Sequence, residues 1–332
     1  MDTAEPSVGI DALAQPAYVD VSVVVVNYNT AHLLHEMRDA LNRSQGSLTL
    51  QTIIIDNASR DESAEVLRRD FSDAELIFNT RNVGFGRANN QALPLVTGRY
   101  VLLLNTDAFV SPDTLTKTVA YMDAHSDAGI LGVRLVGRDG VLQPSCRYFP
   151  TPWNVFLNRT GLHRFFPGVR MVDDMSWDHA SVRECDWVPG CYYLVRRELI
   201  EQVGLFDPRY FLYYEEVDHC RAAKRRGWRV VCFSDVEVVH LGGESAKSEG
   251  KLTAAGRQLS ALQVESELLY FRKQHGLPGL MAGVLLQSLV FAISSLRRKL
   301  RRASQPQTGG LQQLSLLWRA LLSTRVGSRP TR

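Results

Sequence analysis

The sequence predicts an α/β fold, a mostly parallel Rossmann-like sheet covered by helices, with a C-terminal helical appendage. Three observations carry this. Short β-branched runs recur with room for a helix between them. The runs are apolar throughout instead of alternating, which marks strands buried on both faces. Polar clusters directly follow three of them, at the strand ends where such sheets bind ligands.

Taken in order, residues 1–18 are small, polar and proline-containing, and read as a disordered leader. Val21–Val26 is the first strand, and Ala31–Arg43 a helix with Leu33, Leu34, Met37 and Leu41 on one face. Thr52–Ile55 is the second strand. Ser59, with Glu62 three residues on, resembles a capping box opening the next helix. Glu75–Phe78 is a strand, Gly86–Val96 a helix and Tyr100–Leu104 another strand. Pro112 suits the first turn of a helix running to about Ala124, before strand Gly129–Val136. Residues 137–183 are irregular, rich in aromatics, Pro and Arg, and no element is assigned there. A strand at Tyr192–Val195, a loop at Gly204–Tyr210, a helix from Glu215 to Arg226 and strand Arg229–Phe233 follow. Helical spacing then dominates from Leu252 to an Arg-rich cluster, with a linker at Ala303–Gly310 and a short amphipathic helix at Leu311–Leu322. The expected organisation is a leader (1–18), one large domain (19–250), C-terminal helices (251–302) and a basic tail (303–332).

The net charge of +3 averages two unlike parts. No acidic residue follows Glu267, while eleven Lys and Arg do; the rest of the chain carries 27 basic against 35 acidic residues, about −8. An acidic body argues against a nucleic-acid-binding protein, and the basic tail suits an anionic phospholipid surface. Leu277–Leu296 is apolar but interrupted by Pro278, Gly279, Gly283 and Gln287, and Arg297-Arg298-Lys299-Leu300-Arg301-Arg302 comes next. An interfacial helix anchored by those arginines fits this better than a spanning one. A core helix or a dimer interface is the alternative. The five cysteines form no Cys-x-x-Cys pair, so neither a zinc site nor a disulfide framework is expected. Asp2, Glu5 and Asp11 stand where a signal peptide would be basic, and a cytoplasmic protein is expected.

Asn27-Tyr28-Asn29, Asp56-Asn57 and Asn105-Thr106-Asp107 end three strands and converge on one rim of the sheet. Asp107 suits a hard divalent ion, Mg²⁺ or Mn²⁺, that also takes diphosphate oxygens; capping the next helix is the plainer alternative. Asp56 offers a carboxylate to a base N–H and Tyr28 a ring face, although Asp-Asn pairs also cap turns. In Tyr213-Tyr214-Glu215-Glu216-Val217-Asp218, crowding and burial would raise a carboxyl pKa, which suits a general base. The same acids also suit a helix N-terminus, with Asp218 pairing with Arg221. His240 reads equally as a surface loop histidine, and Leu241-Gly242-Gly243-Glu244-Ser245 as a flexible lid.

Together these segments resemble glycosyltransferase family two, in its bacterial rhamnosyltransferase-like branch of O-antigen and polysaccharide assembly. The resemblance runs in order through Val25–Asn29, Asp56–Ser59, Asn82–Asn90, Asn105–Asp107, Trp187–Gly190, Gly204–Asp207, Tyr214–Asp218 and Val239–Gly243, over about residues 20–250. It implies a GT-A fold and an inverting, metal-dependent glycosyltransferase. Tyr28, Asn29, Asp56, Asn82, Gly84, Asn105 and Asp107 would then form the donor site, with Asp107 and His240 as metal ligands. Glu216 would be the base, and Trp187, Gly190, Glu215 and Asp218 would line the acceptor side. The implied donor is dTDP-L-rhamnose, with UDP- or GDP-sugars as alternatives. The implied acceptor is a glycan, often undecaprenyl-diphosphate-linked, at the inner face of the bacterial inner membrane. A homo-oligomer is compatible. Two departures stand out: Asn105 replaces the first Asp of the family's Asp-x-Asp, and Glu216 replaces the Asp of its Glu-Asp pair. No Gln-x-x-Arg-Trp motif of processive synthases is present, so addition of single residues is expected. A catalytically inactive sugar-nucleotide-binding scaffold on the same fold is the competing class. A nucleotidyltransferase would carry a Gly-rich basic loop after the first strand, where Asn27-Tyr28-Asn29-Thr30 stands.

Overall fold

The computed structural model describes residues 19–175, 177–242, 261–301 and 310–332. The expected leader, lid residues 243–245 and most of the linker lie outside them.

Ten strands form one sheet. Strands β3 (Glu75–Phe78), β2 (Leu50–Asp56), β1 (Val21–Asn27) and β4 (Tyr100–Leu104) run parallel, as their uninterrupted apolar sequences require. Then β9 (Tyr192–Arg196) enters antiparallel between β4 and β6 (Ala128–Val136), and β10 (Arg229–His240) runs parallel to β6. The short β5 (Ala108–Val110) closes the order, antiparallel to β10, while β7 (Leu142–Gln143) and β8 (Arg183–Glu184) pair with β6 and β10. Strand β10 is longer than Arg229–Phe233. A register shift between Phe233 and Glu237 carries it past the polar Ser234-Asp235, and burial then alternates along the chain. This is how His240 reaches the rim.

Alternate residues of β1 feed two cores, one on each face of the sheet. Val21, Val23 and Val25 pack with α1 (Ala31–Ser44), α2 (Ser63–Asp70) and α4 (Thr114–Ala124). Val24 faces α3 (Phe85–Gln91), α6 (Arg197–Val203) and α7 (Glu215–Arg225). Ser59 does not cap α2: Glu62 holds the cap position without a side-chain bond, and the Ser59 hydroxyl is used at the rim. Helix α3 ends at Gln91 instead of Val96. In the unassigned stretch lies α5 (Pro152–Thr160), with a true capping box between Thr151 and Asn154, Pro at its start and Gly161 left-handed at its end.

Helix α8 (Ala261–Arg301) breaks at Gly276, where φ is 67° and ψ −170°. Pro278 sits just past the break, where it costs no helical hydrogen bond. The two arms fold back on each other. Gln287 on the second arm hydrogen-bonds Glu267 on the first, although twenty residues of straight helix would separate them by about 30 Å. Leu268, Leu269, Tyr270 and Phe271 of the first arm, and Leu280, Val284 and Phe291 of the second, join the same core as α7. Helix α9 (Gly310–Ser323) adds Leu317, Ala320 and Leu321. The C-terminal helices therefore cover one face of the sheet. By length and composition α8 also passes as a candidate membrane span, one-third buried in its apolar window.

Candidate active site

The in-register ends of β1 and β2 set Asn27 beside Asp56. Asn27 Nδ2 donates to Asp56 Oδ1 at 2.8 Å, and Thr30 Oγ1 donates to Asn27 Oδ1 at 2.8 Å. The Thr30 hydroxyl also meets that of Thr106 at 2.8 Å, tying in the end of β4. Ser59 completes the knot: its N–H donates to Asp56 Oδ2 and its hydroxyl accepts from Asn29 N–H. Buried polar groups thus hold the three strand ends in one arrangement and satisfy one another. Asp56 is 3% exposed. Tyr28 stands partly exposed on the rim beside it, and Asn29 turns the chain at φ 53°.

A second knot shapes the loop before α3. Asn57 Oδ1 accepts from Val83 N–H and Asn79 Nδ2, while Asn57 Nδ2 donates to Asn82 Oδ1 at 3.0 Å. Asn82 Oδ1 also accepts from Gly84 N–H. Gly84, at φ 91°, lies so near Phe211 that a Cβ there would sit 2.5 Å from its carbonyl oxygen. Phe85 N–H donates to that same oxygen at 2.8 Å, joining this loop to the segment before Glu215. Gly190 needs no such closeness, since a Cβ there would stand 3.7 Å from the Phe85 ring.

The β5–β10 ladder sets His240 opposite Ala108 and beside Asp107, which is 6% exposed. His240 Nε2 lies 3.7 Å from Asp107 Oδ1, and Nδ1 lies 2.8 Å from Gln143 Oε1. An amide oxygen only accepts, so Nδ1 carries the proton and the Nε2 lone pair faces the carboxylate. Burial pushes the His240 pKa down against the opposing pull of Asp107. A carboxylate oxygen and an imidazole lone pair suit a hard divalent ion. Asp107 Oδ1 and His240 Nε2 are the atoms that would hold such an ion. Among the described residues no cluster of three or more His, Cys, Asp or Glu forms a metal cage. Asn105 is partly exposed, and its backbone N–H donates to the Cys191 carbonyl oxygen.

Helix α7 opens with Glu215 buried and Glu216 partly exposed. Burial, and then the charge of Glu216, hold the Glu215 carboxyl well above the ordinary range; burial also raises Glu216. Arg147 opposes the rise at Glu216. Burial raises the Cys191 thiol just before β9, and the charges of Asp107 and Glu216 add to the rise. Trp187 is 5% exposed, with its indole N–H donating to Tyr148 O and the Arg147 guanidinium 4.1 Å over its ring. Asp218 turns away. It is bound by Lys273 at 2.5 Å and Gln274 at 2.5 Å, both on α8, instead of by Arg221. Sequence reasoning passed over Gln143 and Arg147, because each acts through a contact more than twenty residues away in the chain.

This mixed, mostly parallel sheet flanked by helices is a GT-A glycosyltransferase fold. Residues 22–177 match the family model described as glycosyl transferase family 2. It is similar to the N-acetylglucosaminyl-diphospho-decaprenol L-rhamnosyltransferase of Mycobacterium tuberculosis, 28% identical over 79% of this chain and 92% of that one. A low-salt glycan biosynthesis hexosyltransferase of Haloferax volcanii is 23% identical over 67% of each chain. In fold it resembles a mannosyltransferase from Pyrobaculum calidifontis solved with GDP-Man and Mn²⁺, at TM-score 0.53 and 18% identity over 95% of this chain and 90% of that one.

Proposed function

We propose that this glycosyltransferase is inverting, metal-dependent and non-processive. It moves L-rhamnose from dTDP-L-rhamnose to a lipid-linked glycan acceptor in bacterial surface polysaccharide synthesis. The observation that carries the reading is the Asp107–His240 pair, its lone pair aimed by Gln143. Asp107 and His240 would hold Mg²⁺ or Mn²⁺, which supplies charge neutralisation for the leaving diphosphate. Tyr28 and Asp56 would receive the base, and the Asn82–Gly84 loop the nucleotide. Glu216 takes the proton of the acceptor hydroxyl as that oxygen attacks the anomeric carbon. The carbon–oxygen bond to the diphosphate breaks on the opposite face, and its electron pair leaves with the diphosphate. One carboxylate therefore suffices, unlike the paired carboxylates of glycoside hydrolases. Trp187 and Gly190 would border the acceptor.

The rhamnose donor rests on the similarity to the mycobacterial rhamnosyltransferase, whose name also specifies a lipid-diphosphate acceptor. Work at the inner leaflet is supported by the second arm of α8. Its outward face exposes Leu277, Leu285 and Leu289, and no Lys, Arg, Asp or Glu lies between Lys273 and Arg297. A helix apolar on both faces suits a core on one side and lipid on the other. The test is a hydrolysis and thermal-shift panel of dTDP-rhamnose, UDP-glucose, UDP-GlcNAc and GDP-mannose with Mn²⁺. Turnover of dTDP-rhamnose that is lost in Glu216→Gln supports the reading. A response to GDP-mannose alone overturns the donor, and full turnover in Glu216→Gln overturns the base.

A further inference from the structure

We propose that the first arm of α8 is a positioning element for the reaction, holding the segment that presents Glu216 in a conformation it would not keep by itself. The proposal rests on the reading of Glu216 as the base. Tyr213 and Tyr214, immediately before the two glutamates, both take left-handed backbone angles, at φ 70° and 72°. Neither is a glycine, and a side chain at such angles crowds its own backbone. Two in succession persist only where the surroundings over-determine them.

Helix α8 supplies the constraint from outside the rim. The Tyr214 hydroxyl donates to Glu267 Oε2 at 3.1 Å, and its ring lies 5.1 Å from that of Tyr270. Ser266 Oγ donates to the Leu212 carbonyl oxygen at 2.8 Å, which fixes the backbone two residues before Tyr214. Arg221 Nη1 donates to the Tyr270 hydroxyl at 3.0 Å, and Lys273 and Gln274 hold Asp218. The segment is therefore gripped on both sides of Glu216, at 212 and 214 before it and at 218 and 221 after it.

Glu267 is itself braced. It is 5% exposed, accepts from Arg159 of α5 at 3.2 Å, and accepts from Gln287 of the second arm. Arg159 in turn donates to Gln287 Oε1 at 2.6 Å. A buried carboxylate with these partners is a rigid anchor, since each partner would be left unsatisfied if it moved. On the other flank, Phe211 O is held by Phe85 N–H beside Gly84. The segment carrying Glu216 thus spans a fixed gap between the nucleotide loop and α8.

Tyr214→Phe removes one hydroxyl, and Ser266→Ala removes another on an independent bond; neither residue touches the reacting atoms. Both full-length variants are assayed with whichever of dTDP-rhamnose, UDP-glucose, UDP-GlcNAc and GDP-mannose the wild type hydrolyses fastest, with Glu216→Gln alongside. Each is expected to lower kcat about tenfold, in line with displacement of a catalytic group by a fraction of an ångström. Donor KM stays at the wild-type value, and the thermal midpoint stays within about 4 °C. A general loss of fold would move KM and kcat together, so the split separates positioning from damage. If Glu216→Gln is inactive while Tyr214→Phe and Ser266→Ala keep the wild-type kcat, the positioning role is wrong and the base stands. If Glu216→Gln turns over like the wild type, both are wrong.

Discussion

Gln143→Leu tests the proposal that His240 is a metal ligand aimed by Gln143. The Gln143 side chain brackets His240, its Oε1 2.8 Å from Nδ1 and its Nε2 donating to the His240 carbonyl oxygen at 2.8 Å. Leucine fills similar space and makes neither bond. Each bond contributes about 1 kcal/mol net, so roughly 2 kcal/mol of orientation is lost. At about 1.4 kcal/mol per tenfold, that is about a 30-fold loss of metal affinity, inside the roughly 10–100-fold range for partners that orient a ligating histidine. Donor hydrolysis titrated with Mn²⁺ reads this directly. The half-saturating Mn²⁺ concentration should rise about 30-fold, while kcat at saturating metal stays near the wild-type value. Gln143→Glu keeps an acceptor for Nδ1–H and should lie between the two. An unchanged half-saturation in Gln143→Leu would refute the assignment of His240 as a ligand aimed by Gln143.

Three further outcomes are expected. Gly84→Ala forces a Cβ to 2.5 Å from the Phe211 carbonyl oxygen at φ 91°, and should cost about 2 kcal/mol in chemical denaturation and raise donor KM. A wild-type midpoint and KM would show that the two segments part freely. The Glu215 carboxyl is raised in the fold, so its contribution to stability is complete below the ordinary glutamate range and lost as pH rises through the raised value. The wild type should therefore lose thermal midpoint relative to Glu215→Gln between pH 5 and 8, and parallel curves would contradict the burial argument. The double substitution Leu285→Asp, Leu289→Asp alters exposed positions and should leave the thermal midpoint nearly unchanged while abolishing flotation with anionic vesicles. Undiminished flotation would move the membrane contact elsewhere.

The parallel half of the sheet was legible because Val21–Val26, Thr52–Ile55 and Tyr100–Leu104 are short β-branched or apolar runs without alternation. The rim was legible for the same reason, since polar residues at the ends of such runs have one place to go. Strand β10 past Phe233 was not, because Ser234-Asp235 breaks the run and only its pairing with β6 and β5 extends it. Helix α5 was missed although its caps are good, since nothing around it has a period. The break at Gly276 was overlooked as well: Gly276-Leu277-Pro278-Gly279 contains the signal, but the apolar spacing on either side masks it. Asp218 shows a different limit. Its helical neighbour Arg221 was the natural partner by spacing, and the tertiary fold supplied Lys273 instead.

The grip of residues 266–274 on the segment before Glu216 also has a consequence for the order of events during synthesis. Strands β1 to β4 and the polar knot at Asp56 are complete by residue 107, so the nucleotide rim can form early. The clamp emerges about 160 residues later, which at roughly 5–20 residues per second is about 8–30 seconds. Between the emergence of residue 216 and that of residue 266, a nascent chain has the rim and an unbraced glutamate loop. Activity would then switch on late, as α8 folds into place, and an unfinished chain would spend little donor on water.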